Sequence, residues 1–161
     1  MATKNKEEKT NAIRLLEQRK LTFAVHDYTR TGALGGMEVA ACLNENPDKV
    51  FKTLVTVGKS GGHFVFLVPV NRELDLKKAA KAVSEKSIEM IKAKELLPLT
   101  GYVHGGCSPI GMKKLFPTII DESAAAFPEI FFSGGKIGFQ IETSLRELEK
   151  IIPFRLSDIS V

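Results

Sequence analysis

The stretch VFKTLVTVGKSGGHFVFLVPV, residues 50–70, decides the fold. Val50 to Val57 is built of β-branched and aromatic residues, and so is His63 to Val70. Between them Gly58 to Gly62 is turn material. Two such runs around a loop of this length predict an antiparallel hairpin. Strands joined directly by a turn argue against a regular βαβ winding with an all-parallel sheet.

Working outward, the upstream chain alternates element types. Glu7 to Lys20 has Ala12, Ile13 and Leu16 at helical spacing and a basic pair in its last turn, so a helix is predicted. Thr22 to Tyr28 alternates as a strand, Thr31 to Gly36 reads as a glycine-rich loop, and Met37 to Asn44 as a short helix stopped by Asn46-Pro47. Downstream, Leu74–Ser84 and Ser87–Leu96 read as helices, the second capped by Ser87. Gly101 to Gly111 is a loop and Pro117–Asp121 a short strand. Glu129–Phe132 and Ile137–Glu142 flank a glycine turn as a second hairpin, and Ser144–Ile152 is a closing amphipathic helix. This order predicts an α+β fold: a mixed, mainly antiparallel sheet or partly closed barrel surrounded by helices. At 161 residues it fits one domain spanning 1–161.

Composition narrows the class. Hydrophobic content of 43% with 26% charged residues is that of a soluble globular chain. The longest apolar run, Phe64 to Val70, is too short to cross a bilayer. Met1 to Thr10 lacks the apolar core of a secretory signal, so a cytoplasmic location is expected. Cys42 and Cys107 form no CxxC, and His26, His63 and His104 stand at no metal-ligand spacing, so neither a metal nor another cofactor is expected. No glycine loop has Rossmann or P-loop spacing; Gly134-Gly135-Lys136 is followed by neither Ser/Thr nor a helix. The net charge of +4 and the clusters Lys77/Lys78/Lys81, Lys92/Lys94 and Lys113/Lys114 would attract a polyanion such as RNA, and equally suit solvated helix faces. With no Trp and two Tyr, an extended stacking platform is not expected; a nucleic acid would be held by its end and backbone.

Two places could carry chemistry. Lys52 interrupts an otherwise apolar or threonine-bearing strand. A lysine there must reach water or an anion, because burying it unpaired is costly. It is either a ligand-binding cation or an edge-strand charge against aggregation. The loop Gly105-Gly106-Cys107-Ser108-Pro109-Ile110-Gly111 follows His104. Adjacency of His104 to Cys107 and Ser108 does not make a catalytic pair, and Pro109 removes the amide after Ser108. The loop is better suited to presenting the amides of Gly105 and Gly106 to a carbonyl oxygen, with the Ser108 hydroxyl holding the turn. Tyr28, after His26 and Asp27, would close a pocket or stack on a base, or is simply a half-exposed strand end. Asp121 and Glu122 would be a base or the acidic start of a helix.

Phe51-Lys52-Thr53-Leu54, then Thr100-Gly101-Tyr102 running into Gly105–Gly111, then Ser133-Gly134-Gly135-Lys136-x-Gly138, resemble the three blocks of the YbaK family, and His26-Asp27-Tyr28 resembles its first strand. These are free-standing aminoacyl-tRNA deacylases related to the editing domain inserted in bacterial prolyl-tRNA synthetases. The resemblance runs from about Ala12 to Ser157, and the Lys-Thr pair with the Gly-Gly-x-Ser-Pro loop is similar to the Cys-tRNA(Pro)/Cys-tRNA(Cys) deacylase branch. It implies hydrolysis of mischarged Cys-tRNA(Pro) in trans, with the tRNA 3′ end as ligand, prolyl-tRNA synthetase as partner, no membrane association and a monomer or weak dimer. It implies Lys52 on the phosphate or ribose of the tRNA end and Gly106 beside the aminoacyl carbonyl, these two being the catalytic positions. Tyr28, Thr53, Ser108, Ser133 and Gly134 would bind substrate. It implies no protein nucleophile: the thiol of the cysteinyl substrate attacks its own ester. Leu34 stands where members often carry an aromatic residue and Gln140 where some carry an acid, so amino-acid preference rests on them. The alternatives are another small aminoacyl-tRNA such as Ala-tRNA(Pro), or a non-catalytic module that binds tRNA ends or nucleotides.

Overall fold

In the computed structural model, which describes residues 9–161, the chain runs α1 (Asn11–Gln18), β1 (Ala24–Asp27), α2 (Gly36–Cys42), β2 (Phe51–Gly58), β3 (His63–Pro69), α3 (Leu76–Ala82), β4 (Ile88–Met90), α4 (Ala93–Thr100), β5 (Thr118–Asp121), β6 (Ile130–Ser133), β7 (Phe139–Thr143), α5 (Leu145–Leu148) and β8 (Arg155–Ser157). The predicted hairpin is present: β2 and β3 pair antiparallel, with Lys52 opposite Val68 and Thr53 opposite Leu67. They are the heart of a five-stranded sheet of order β4-β2-β3-β5-β8. β5 and β8 join it in parallel. β1, β7 and β6 make a second, antiparallel sheet, and a single bridge between Val50 and Phe131 links the two. The architecture is thus mixed α+β, with two sheets linked by that bridge and no closed barrel.

β3 shows why the sheet is central. Val65 and Leu67 face a core shared with Ile13 and Leu16 of α1, Ile130 and Phe132 of β6 and Ile141 of β7. Phe66 and Val68 face the opposite way, against Ala79 and Ala80 of α3 and Ile119 of β5. A strand buried on both faces reads as a continuous apolar run, as His63–Val70 does.

Boundaries moved where local chemistry differs from the pattern. α1 is capped by Thr10, whose hydroxyl accepts the Ile13 N–H at 3.2 Å; Glu7 and Glu8, included in the predicted helix, lie outside the described residues. The predicted helix Ser87–Leu96 is a correction. Ile88–Met90 is an edge strand on β2, and the helix begins only at Ala93, where Glu95 accepts the Lys92 N–H at 2.9 Å. Short apolar runs carry no decisive period, so strand and helix compete and the open edge of β2 wins. β8 was not anticipated; it is three residues long and its side chains are mostly exposed.

Asp121 fastens the end of β5. It is 2% exposed and accepts the backbone N–H of Ile159 at 3.1 Å and of Ser123 at 3.3 Å. Burial alone would push its carboxyl up, but the Ser123 hydroxyl, these two N–H groups and the Ser160 hydroxyl together outweigh burial and hold it below the usual aspartate value. The stability it contributes is complete above the ordinary aspartate range and disappears as pH falls through the lowered value. Asp121→Asn is expected to flatten the acid limb of a melting temperature–pH profile and to cost about 1–3 kcal/mol at neutral pH. An unchanged acid limb would show that the carboxylate does not carry this term.

Candidate functional site

A cavity of about 430 Å³ opens where β2, α2, the loop after α4 and the β6–β7 turn converge. Its floor is explained by strand pairing. β4 reaches β2 only from Thr56 to Gly58, so among the described residues no strand covers that edge of β2 at Lys52–Leu54. There β2 is held by β3 on one side and open to the cavity on the other. Lys52 thus stands on a strand interior to the sheet order, at a stretch where one edge is not covered by β4.

Lys52 and Thr53 both line the cavity. The Lys52 ammonium lies 3.3 Å from Glu73 Oε2, and the side chains are 29% and 80% exposed respectively. A pair so open to water is worth little, and a phosphate can displace the carboxylate. The Thr53 hydroxyl is buried with no hydrogen-bond partner among the described residues. Tyr28 also lines the cavity and is 5% exposed; its N–H donates to Gly138 O at 2.7 Å, tying β1 to the second glycine loop. Ser133 closes that side, its hydroxyl accepting the Gly135 N–H at 3.2 Å.

The first glycine loop differs from expectation in which amide is free. The Gly106 N–H donates to Val103 O at 3.0 Å and so is not available to a ligand. Gly106 instead serves close approach: a Cβ there would lie 2.9 Å from Ile137 N and from Lys136 Cα, both backbone. Gly105, at φ 85°, and Cys107 flank it and line the cavity, and their N–H groups meet no acceptor among the described residues. The left-handed turn at Gly105 is what glycine permits there. Gly134 and Ser108 stand behind the cavity lining. Gly134 donates to Phe139 O at 2.8 Å and accepts from the Thr10 hydroxyl at 2.5 Å. Ser108 is fully buried and its hydroxyl accepts the Ile110 N–H at 3.3 Å. Both brace the walls.

Cys107 lines the cavity, but burial pushes its thiol up to about 12, only partly offset by a hydrogen bond with Thr100. At neutral pH it is a protonated, poorly nucleophilic thiol. Leu34, 64% exposed, sits at the rim. Lys92, the N-cap of α4, and Leu96 within it also line the cavity; the predicted helix Ser87–Leu96 covers both but begins six residues before α4 does.

One cavity is thus lined by Lys52 and by Gly105 and Cys107, whose amides meet no acceptor among the described residues. The class is given by a family model: residues 36–151 match the aminoacyl-tRNA editing domain. The chain belongs to the aminoacyl-tRNA editing family. Over 143 residues it is 47% identical to a protein of Enterococcus faecalis named as a Cys-tRNA(Pro)/Cys-tRNA(Cys) deacylase, EbsC; the match covers 88% of this chain and 87% of that one. It is 33% identical over 99 residues to a proline–tRNA ligase of Thermosipho africanus, a segment making 61% of this chain and 17% of the ligase. A solved structure described as a trans-editing enzyme for prolyl-tRNA synthetase superposes with a TM-score of 0.81 at 25% identity, covering 94% of this chain and 95% of that one. Of the two catalytic expectations from sequence, Lys52 lines the cavity, whereas Gly106 does not and packs between Gly105 and Cys107, which do. No helix of the described residues is long and apolar enough to cross a membrane.

Proposed function

We propose that the chain is a trans-editing deacylase that hydrolyses mischarged Cys-tRNA(Pro), and Cys-tRNA(Cys) as well, in the cytoplasm beside prolyl-tRNA synthetase. The observation that carries the mechanism is the state of Cys107: the cavity's one thiol is buried and protonated. This agrees with the mechanism that the similarity to Cys-tRNA deacylases implies, in which the nucleophile is the substrate's own sulfur. Its attack on the ester carbonyl forms a C–S bond in a four-membered ring. The C–O bond to the tRNA 3′ oxygen breaks, and the thiol proton ends on that oxygen. Water then opens the released thiolactone to free cysteine. An attacking group already on the substrate has a high effective molarity, so the protein needs only to fix its conformation and stabilise charge. The free amides of Gly105 and Cys107 are suited to the developing oxyanion, and Lys52 to the phosphate or ribose of the terminal nucleotide. Tyr28, Thr53 and Ser133 form walls around the aminoacyl group.

The test is hydrolysis of Cys-, Ala- and Ser-charged tRNA(Pro) by the purified chain. Cys-tRNA(Pro) is expected to be cleaved and Ser-tRNA(Pro), nearly the same size without a thiol, to be spared. Cleavage of the seryl ester at a comparable rate would exclude attack by the substrate sulfur, and a preference for Ala-tRNA(Pro) would reassign the substrate. Cys107→Ala is expected to keep the rate within about threefold, since a protonated buried thiol contributes no nucleophile. Its loss of activity without loss of fold would return the cysteine to the mechanism.

A further inference from the structure

Gln140 and Glu45 form a polar pair that the reaction above does not use. Gln140 lies in β7 between Phe139 and Ile141, is 3% exposed and lines the cavity. Its Nε2 donates to Glu45 Oε1 at 2.9 Å. Glu45 lies just beyond α2, half-buried, with the His26–Glu142 pair, 2.8 Å apart, and Lys49 acting on it from β1, β7 and the turn before β2. A carboxylate only accepts hydrogen bonds, so this contact fixes which end of the Gln140 amide faces it. The amide oxygen is thereby turned away from Glu45. It is buried and has no donor among the described residues, a distinction it shares in this cavity with the Thr53 hydroxyl.

A buried acceptor without a donor calls for an explanation, and a ligand that supplies the donor is one. The cavity lining holds Lys52, Lys92 and His104 but no carboxylate. An aminoacyl ester brings an α-ammonium into this basic surrounding, and an ammonium has three donors and no acceptor. We infer that Glu45 is a positioning residue that holds the Gln140 amide so that Oε1 receives the α-ammonium of the aminoacyl group. Gln140 touches the substrate; Glu45 acts through it. This rests on the reading of the cavity as an aminoacyl-ester site.

The experiment compares Cys-tRNA(Pro) with N-acetyl-Cys-tRNA(Pro), which keeps the thiol and ester but lacks the ammonium. The wild type is expected to favour the free amine by about 10- to 100-fold in kcat/KM, the range of a hydrogen bond to a charged group. Gln140→Met should remove that preference by raising KM for the free-amine substrate alone. Glu45→Ala, at a half-exposed position that should not endanger the fold, should move it in the same direction. Glu45→Gln should restore it, because a second amide oxygen still accepts from Nε2. A preference that survives in Glu45→Ala, or is missing in the wild type, overturns the inference while leaving the deacylase reading intact. A wild type inactive on both substrates overturns the deacylase reading itself.

Discussion

Lys52→Ala is expected to lower deacylation of Cys-tRNA(Pro) by about 10–100-fold, the effect of losing one charge-assisted contact to the tRNA end. The fold should be little affected. The lysine's one ion-pair partner, Glu73, is 80% exposed, and such pairs contribute about 0–1 kcal/mol. Its strand neighbours Phe51 and Val55, which hold β2 in the core, are untouched. Lys52→Arg should recover part of the rate, since charge is kept while the compact ammonium is not. The measurement is single-turnover hydrolysis with a thermal melt of each variant. A Lys52→Ala protein that melts normally and still deacylates within threefold of wild type would remove this lysine from the site.

The second large effect is expected at a residue with no side chain. In Gly106→Ala the new methyl would meet Ile137 N and Lys136 Cα at 2.9 Å. These are backbone atoms of a turn already fixed by the Gly134–Phe139 and Tyr28–Gly138 hydrogen bonds, so the clash cannot be relieved by rotating a side chain. Overpacking of this kind costs about 1–3 kcal/mol, and the two loops must separate. Gly105 and Cys107 would move with them, and a displacement of about 1 Å at a reacting centre is enough for roughly 100-fold in rate. We expect lower melting temperature and lower kcat together, with the free-amine preference retained. A stable, fully active alanine variant would mean that the loops do not depend on this contact.

Much of this arrangement was legible in the sequence, for identifiable reasons. β2 and β3 were readable because β-branched and aromatic residues fill both and glycines mark the turn. The fold class followed from that hairpin. β4 and β8 were not readable, because three-residue strands are fixed by what they lie against. For the same reason the free edge at Lys52 could be framed only as a choice between two strand types. The glycine loop was recognisable as a wall, but not which of its amides is free: Val103 accepts the Gly106 N–H through a turn that composition does not encode. Gln140 offered a signal, an amide set between Phe139 and Ile141. Its partner Glu45 is 95 residues away and could emerge only from the folded chain.

The open edge of β2 and the loop from Gly105 to Cys107 put main-chain atoms into the lining of the cavity proposed to hold the ester. Point mutation cannot delete a peptide N–H except through proline, so the chemical step is shielded from most drift. Rim side chains such as Leu34, which is 64% exposed, are free to vary over that constant floor. A lineage could therefore shift the amino acid it polices by altering those positions, without first losing the ability to cleave the ester.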